Sequence, residues 1–268
     1  MNEEYTWIGS QKTYIDEIHI KLLLNSIVVG QFGGNSSAGQ YKNEDGCLVW
    51  MDPQLDWEFV VLLDAHNTAQ SAELVVSTLK NNKDFIIQIL SQKDSDIFDN
   101  LHHFLLNLFK SEEFRKDCSK VQGETACLII FRKNNFLWWF SIGDCILHLF
   151  HSELASLGEY QQNHRSFFEW IGRQSTFNKT IPCYSAGTKE LRKGANQIFL
   201  TTDGLVECPN ANYYNPEEIY KLFDEYSNEM GIEYLLKDIK DKGVRDSTTI
   251  ISWTIFNDND ATRPSDMK

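Results

Sequence analysis

The stretch ACLIIFRKNNFLWWFSIGDCILHLF, residues 126–150, decides the fold of this chain. Three runs rich in β-branched and aromatic residues, Ala126–Arg132, Phe136–Ile142 and Cys145–Phe150, read as strands. Lys133-Asn134-Asn135 separates the first two, and Asn tolerates positive φ, so a hairpin turn is expected there. Gly143-Asp144 makes a second tight turn. The segment is therefore a meander of three antiparallel strands.

On either side of it, Ser26–Gly30, Cys47–Met51, Phe59–Asp64, Gln197–Thr202 and Thr248–Phe256 read as further strands by the same criteria. Helical periodicity appears between the early and middle strands. Ala72, Val75, Val76 and Leu79 mark one helix; Ile97, Phe98, Leu101, Phe104, Leu105, Leu108 and Phe109 form the apolar stripe of a longer one. Asn215 followed by Pro216-Glu217-Glu218 predicts a helix start, with a cap, a proline at the first position and acids at the positive end of the dipole. Ile219, Leu222, Phe223 and Tyr226 continue that face, and Ile232, Leu235, Leu236 and Ile239 mark another helix closing before Gly243. Blocks of strands and paired helices, without regular alternation, predict an α+β fold with antiparallel sheets.

Composition narrows the classes of function. The 268 residues carry 25 Lys+Arg against 38 Asp+Glu, a formal charge of −13 that disfavours nucleic-acid partners. Hydrophobic residues make up 42%, with 17 Phe and 7 Trp, which excludes a disordered or collagen-like chain. No apolar run approaches the ~18 residues of a membrane span, and Met-Asn-Glu-Glu does not begin a signal peptide. The six cysteines form no Cys-x-x-Cys pair and are expected to be reduced, mostly buried thiols of a cytoplasmic protein. No repeat or linker divides the chain, so residues 1–256 are expected to form one domain before a polar tail, 257–268.

The informative pattern is where the acids fall. Asp64 and Asp203 each end a hydrophobic strand, Asp246 precedes the strand starting at Thr248, Glu44-Asp45 precede Cys47, and Asp144 lies in the meander's second turn. A carboxylate at the edge of a buried strand is costly unless paired, hydrogen-bonded or bound to a cation. Taken singly, each is a turn or cap residue; taken together, they could converge on one rim that binds hard divalent cations through oxygen.

Six short motifs stand in order from about Val28 to Ile255. They are Lys42-Asn43-Glu44-Asp45-Gly46, Leu63-Asp64-Ala65-His66, Gly123-Glu124-Thr125-Ala126, Ser141-Ile142-Gly143-Asp144-Cys145, Leu200-Thr201-Thr202-Asp203-Gly204-Leu205 and Arg245-Asp246-Ser247-Thr248-Thr249. In that order the chain resembles the metal-dependent protein serine/threonine phosphatases of the protein phosphatase 2C (PPM) family, in their bacterial single-domain form. The resemblance implies a sandwich of two antiparallel β-sheets flanked by antiparallel helix pairs. It implies hydrolysis of phosphoserine and phosphothreonine in proteins by a metal-activated bridging water, without a covalent intermediate. Two Mn²⁺ or Mg²⁺ ions would be the cofactors, with room for a third. Asp64, Asp203 and Asp246 match the metal aspartates, the carbonyl of Ala65 a further ligand, and Glu44 and Asp45 the acidic pair that reaches the second metal. Asp144 matches the acid of the third site, and His66 the general acid. The partners implied are a phosphorylated protein and a cognate kinase, with neither nucleic acid nor membrane, for a monomer in the cytoplasm.

Two positions depart from that pattern. The family has Gly where this chain has Ala65, which is tolerated if φ is negative there. The family's phosphate-binding arginine is replaced by Gln40, which offers no charge and no bidentate fork, with Lys42 nearby as a point charge. Both residues are expected at the phosphate, and weaker ground-state binding is expected from the exchange. The segment 151–195 corresponds to the family's variable flap; it holds Arg165, Phe167, Phe168, Trp170 and Arg173, and either arginine could stand in for the missing one. Residues 1–26 are unmatched and are expected to pack on the domain, adding an edge strand. The alternative function is a catalytically weak or silent scaffold that binds a phosphoprotein or partner kinase.

Overall fold

The structure, a computed structural model, describes residues 3–24, 26–92 and 96–265. The first two residues of the N-terminal extension and the last three of the polar tail lie outside them. In chain order the strands are β1 (Glu3–Ile8), β2 (Ile18–Leu23), β3 (Ile27–Phe32), β4 (Gly46–Asp52), β5 (Trp57–His66), β6 (Glu124–Lys133), β7 (Phe136–Ile142), β8 (Ile146–Phe150), β9 (Ile171–Gly172), β10 (Ser185–Glu190), β11 (Gly194–Thr201) and β12 (Thr248–Asn257). The helices are α1 (Gln70–Asn81), α2 (Lys83–Leu90), α3 (Ile97–Lys110), α4 (Glu112–Cys118), α5 (Ser152–Ala155), α6 (Asp203–Val206), α7 (Pro216–Glu225) and α8 (Asn228–Asp241).

Two antiparallel sheets form. One has the order β1-β4-β5-β6-β7-β10, with β9 also on β6; the other runs β2-β3-β12-β11-β8. The expected three-strand meander forms only in part: β6 and β7 pair as an antiparallel hairpin with Asn134 at φ 51° in its turn, and Gly143 at φ 86° turns the chain after β7. β8, however, leaves the first sheet and pairs with β11 in the second, so the turn at Gly143-Asp144 crosses between sheets.

Period-two alternation explains why the strands are nearly continuous apolar runs. In β5, Phe59, Val61 and Leu63 face the helical layer of Val75, Leu79, Leu101 and Leu105, while Val60 and Leu62 face the other sheet. Trp138 and Trp139 divide in the same way, one toward the helices and one between the sheets. On the far side, Val28, Phe32, Phe199 and Ile250 bury Ile219, Ile232, Leu236 and Ile239 of α7 and α8. The result is an α+β sandwich of two sheets covered by helices on both outer faces. Asn215 caps α7 by accepting the Glu217 N–H at 3.3 Å, with Pro216 first in the helix.

Several elements exceed the sequence reading. The N-terminal segment supplies two edge strands, β1 on β4 and β2 on β3, rather than one. The strand expected at Ser26–Gly30 runs from Ile27 to Phe32, and β5 continues two residues past Asp64 because Ala65 and His66 still pair with Thr125 and Glu124. The helices α2 and α4 and the edge strand β10 carry too short or too polar a pattern to signal themselves. β10 exists because β7 offers a free edge, and Gly187 lies opposite Trp139. A Cβ on Gly187 would stand 2.3 Å from the Trp139 ring. Gly187→Ala is therefore expected to destabilise the fold by about 1–3 kcal/mol in a urea melt, through overpacking against an immobile ring. Beyond β12 the polar tail is tied back, as Arg192 donates to the Thr262 carbonyl at 2.9 Å and Arg263 to Glu153 at 2.8 Å. Among the described residues no helix is long and apolar enough to cross a membrane.

Candidate active site

Strand register brings the acids to one end of the sandwich. Gly46, directly after Asp45, pairs with Leu63, and Leu63 pairs with Cys127, which pairs with Ile142 just before Gly143-Asp144. In the second sheet Thr201, two residues before Asp203, pairs with both Ile146 and Ile250. Turns separated by up to two hundred residues in sequence thus meet at the same edge. Gly204 closes the approach: a Cβ there would come within 2.3 Å of the Ser247 carbonyl, so only glycine lets α6 start against the strand that follows Asp246.

A cavity of about 410 Å³ opens at this end. Of the expected site residues, Gln40, Lys42, Glu44, Asp64, Ala65, His66 and Asp246 line it. Asn67, Glu207 and Arg245 line it as well, and were not singled out from sequence. Arg245 directly precedes Asp246 in the last of the six motifs; nothing in the sequence points to Glu207. Asp45, Asp144 and Asp203 are not among the lining residues.

Asp45 is fully buried and joins the sheets. Its carboxylate accepts from the hydroxyls of Thr249 in β12 at 2.7 Å, of Ser247 just before β12 at 3.1 Å and of Thr202 just after β11 at 3.3 Å. Even so, desolvation pushes its pKa up to about 8, helped by the charges of Asp246 and Asp203. Asp203, 8% exposed, is pushed up to about 7, first by desolvation and then by Asp246 and Asp144. Asp64 is raised well above the carboxylate range by its burial, with Asp203, Asp45, Asp246 and Asp144 adding repulsion. Oδ2 of Asp64 and Oδ1 of Asp144 are buried without a hydrogen-bond partner among the described residues. A set of mutually repelling acids with orphaned oxygens is a chemical match for a hard divalent cation. Among the described residues no group of three or more His, Cys, Asp or Glu side chains is already drawn together closely enough to hold a metal ion.

The remaining residues are placed as follows. Ala65 is extended within β5 and is absent from the residues of positive φ, so replacing glycine there brings no strain. His66 is exposed, with Nδ1 3.7 Å from Asp64 Oδ1, too far for a hydrogen bond. Lys42 pairs with Glu44 and donates to the Asn67 carbonyl at 2.7 Å. In the segment 151–195, Arg165 donates to the Asp144 carbonyl at 3.2 Å and to Glu207 at 2.9 Å. Arg173 does not line the cavity.

Compared by sequence, the chain matches no protein-family model and no curated protein. Compared by structure, it is similar to a variant of a bacterial serine phosphatase at 17% identity, TM-score 0.65, over 89% of this chain and 99% of that one. Serine/threonine phosphatase Stp1 from Staphylococcus aureus aligns at 14% identity, TM-score 0.59, over 95% of each chain. RsbX in complex with magnesium aligns at 12% identity, TM-score 0.56, over 89% of this chain and 100% of that one. At these identities the likeness establishes the fold, which is the one the bacterial serine/threonine phosphatases adopt.

Proposed function

We propose that this chain is a divalent-metal-dependent phosphatase of phosphoserine and phosphothreonine in proteins, with the cavity at Asp64 as its active site. The observation that carries the reading is the convergence of Asp45, Asp64, Asp144, Asp203 and Asp246 from both sheets, each raising the others' proton affinity or being raised by them. The fold shared with bacterial serine/threonine phosphatases supports it. Asp64, Asp203, Asp246 and the Ala65 carbonyl would hold the pair of Mn²⁺ or Mg²⁺ ions, with Glu44 and Asp45 reaching the second directly or through water and Asp144 contributing to a third. Bound there, the ions supply an activated water and offset charge on the phosphoryl oxygens.

The chain's own groups do the rest. Asp45 is fixed by three hydroxyls, so the floor of the site is preorganised. His66, exposed at the mouth, is free to give a proton to the departing serine or threonine oxygen. No cysteine lines the cavity, and burial pushes the Cys145 thiol beside Asp144 well up, which leaves no thiolate nucleophile at the site.

Proton donation matters most for a poor leaving group. His66→Asn is therefore expected to lower kcat on a phosphothreonine peptide by roughly 10²-fold or more, and on p-nitrophenyl phosphate much less, since that phenolate leaves unaided. Equal losses on both substrates would assign His66 to positioning instead. Binding of a phosphopeptide without Mn²⁺-dependent turnover would favour the scaffold.

A further inference from the structure

A phosphomonoester brings about 1.5–2 negative charges into a cavity already walled by Glu44, Asp64, Glu207 and Asp246. Some wall of that cavity has to offer a cation to the phosphoryl oxygens. Three basic side chains stand at or beside it. Lys42 is engaged by Glu44 and the Asn67 carbonyl. Arg165 is engaged by Glu207 and the Asp144 carbonyl. Arg245 lines the cavity, is exposed, and its guanidinium has no hydrogen bond or ion pair with any described residue.

The base of Arg245 is nonetheless fixed. The Val244 N–H donates to the Ile239 carbonyl at 3.0 Å, and the Val244 carbonyl accepts from Asn35 Nδ2 at 2.8 Å. Gly34, at φ 82°, lies so close that a Cβ there would stand 2.0 Å from the Arg245 carbonyl and 3.0 Å from Cγ of Gln40. Arg245 and Gln40 are thus neighbours across Gly34, one charged and one neutral. A guanidinium anchored at its root and uncommitted at its tip, beside an acidic floor, has the features of an anion clamp.

We propose that Arg245 is the phosphate-binding residue of this cavity, its planar fork taking two non-bridging oxygens of the substrate phosphoryl group. The assignment rests on the cavity's reading as a phosphatase site and identifies which side chain holds the substrate there. It also explains how the site accommodates Gln40, since the charge is supplied from the strand approach on the other side of Gly34.

The test titrates inorganic phosphate calorimetrically into Mn²⁺-loaded protein and measures p-nitrophenyl phosphate kinetics in parallel. It compares wild type, Arg245→Ala, Arg245→Lys and the double variant Arg245→Ala with Gln40→Arg. Arg245→Ala is expected to weaken phosphate binding and raise KM by roughly 10–100-fold, the worth of a charge-assisted bidentate contact, with kcat changed by less than about threefold. Arg245→Lys should recover part of the loss, and the double variant most of it. Because Arg245 is exposed and unpaired, melting temperatures should stay together. Phosphate affinity and KM within twofold of wild type in Arg245→Ala, or a fall in kcat alone, would overturn the assignment, as would a wild type that binds no phosphate. Arg245-dependent phosphate binding without phosphomonoester turnover would keep the assignment and sink the hydrolase reading instead.

Discussion

Asp203→Asn is expected to lower Mn²⁺-dependent hydrolysis of p-nitrophenyl phosphate by at least about 10²–10³-fold at saturating substrate. Asp203 opens α6, is 8% exposed, and stands where β11 delivers it next to Asp64 and Asp246. The amide keeps the shape and removes the charge, so the geometry of α6 against Ser247 survives while one anionic ligand is lost. The same change removes repulsion from the buried acid cluster. Metal-free Asp203→Asn should therefore melt no lower than metal-free wild type, which separates lost chemistry from lost folding. Retention of more than a tenth of wild-type turnover would show that Asp203 does not hold a catalytic ion.

Without divalent metal, the protein is expected to lose stability as pH rises from about 4 to about 8, and Mn²⁺ to restore it most at the alkaline end. Asp45 at about 8 and Asp203 at about 7 lie above the ordinary 3.8 of an unfolded aspartate, and Asp64 is raised as well. Between those limits these acids bind more protons in the native state than in the unfolded chain, so their contribution to the unfolding free energy falls with pH. Below pH 4 both states are protonated and the cost vanishes. A cation competes with those protons, so at 100 times its Kd it should add about 2.7 kcal/mol near pH 8, or roughly 5–10 °C in Tm for a chain of this size. At pH 5 the gain should largely disappear. His148, held down to about 3 by its burial, pulls the other way below about pH 6.5, and so, near the acid limit, do Glu4, held at about 2 by Lys80 and Lys83 in spite of partial burial, Asp16 and Asp260. The difference between wild type and Asp203→Asn in calorimetric scans isolates the cluster. A difference that does not grow with pH would contradict the coupling of these acids.

The parts of this protein that local chemistry dictates were readable from the chain. Asn134 and Gly143 announced their turns, Asn215-Pro216 announced α7, and the apolar stripe from Ile97 to Phe109 announced α3. The order of the acids, set against strand ends, was enough to propose a shared rim. What stayed hidden depends on partners remote in sequence. β1, β2 and β10 are polar or mixed segments that become strands only because β4, β3 and β7 offer open edges. The hydroxyls of Thr202, Ser247 and Thr249 were visible beside the acids, but their grip on Asp45 arises from the register of one sheet on the other. Arg165 was a candidate for the missing cation, and the structure commits it to Glu207; Arg245, one residue before a recognised acid, carries the uncommitted charge. A residue's availability, unlike its type, is a property of everything packed around it.

The most direct measurement is anomalous diffraction from a crystal of this protein soaked in Mn²⁺. The account predicts strong anomalous peaks within coordinating reach of Asp64, Asp203 and Asp246, lost or weakened in Asp203→Asn. Absence of any peak among those three carboxylates at millimolar Mn²⁺, or a peak elsewhere on the molecule alone, would contradict it.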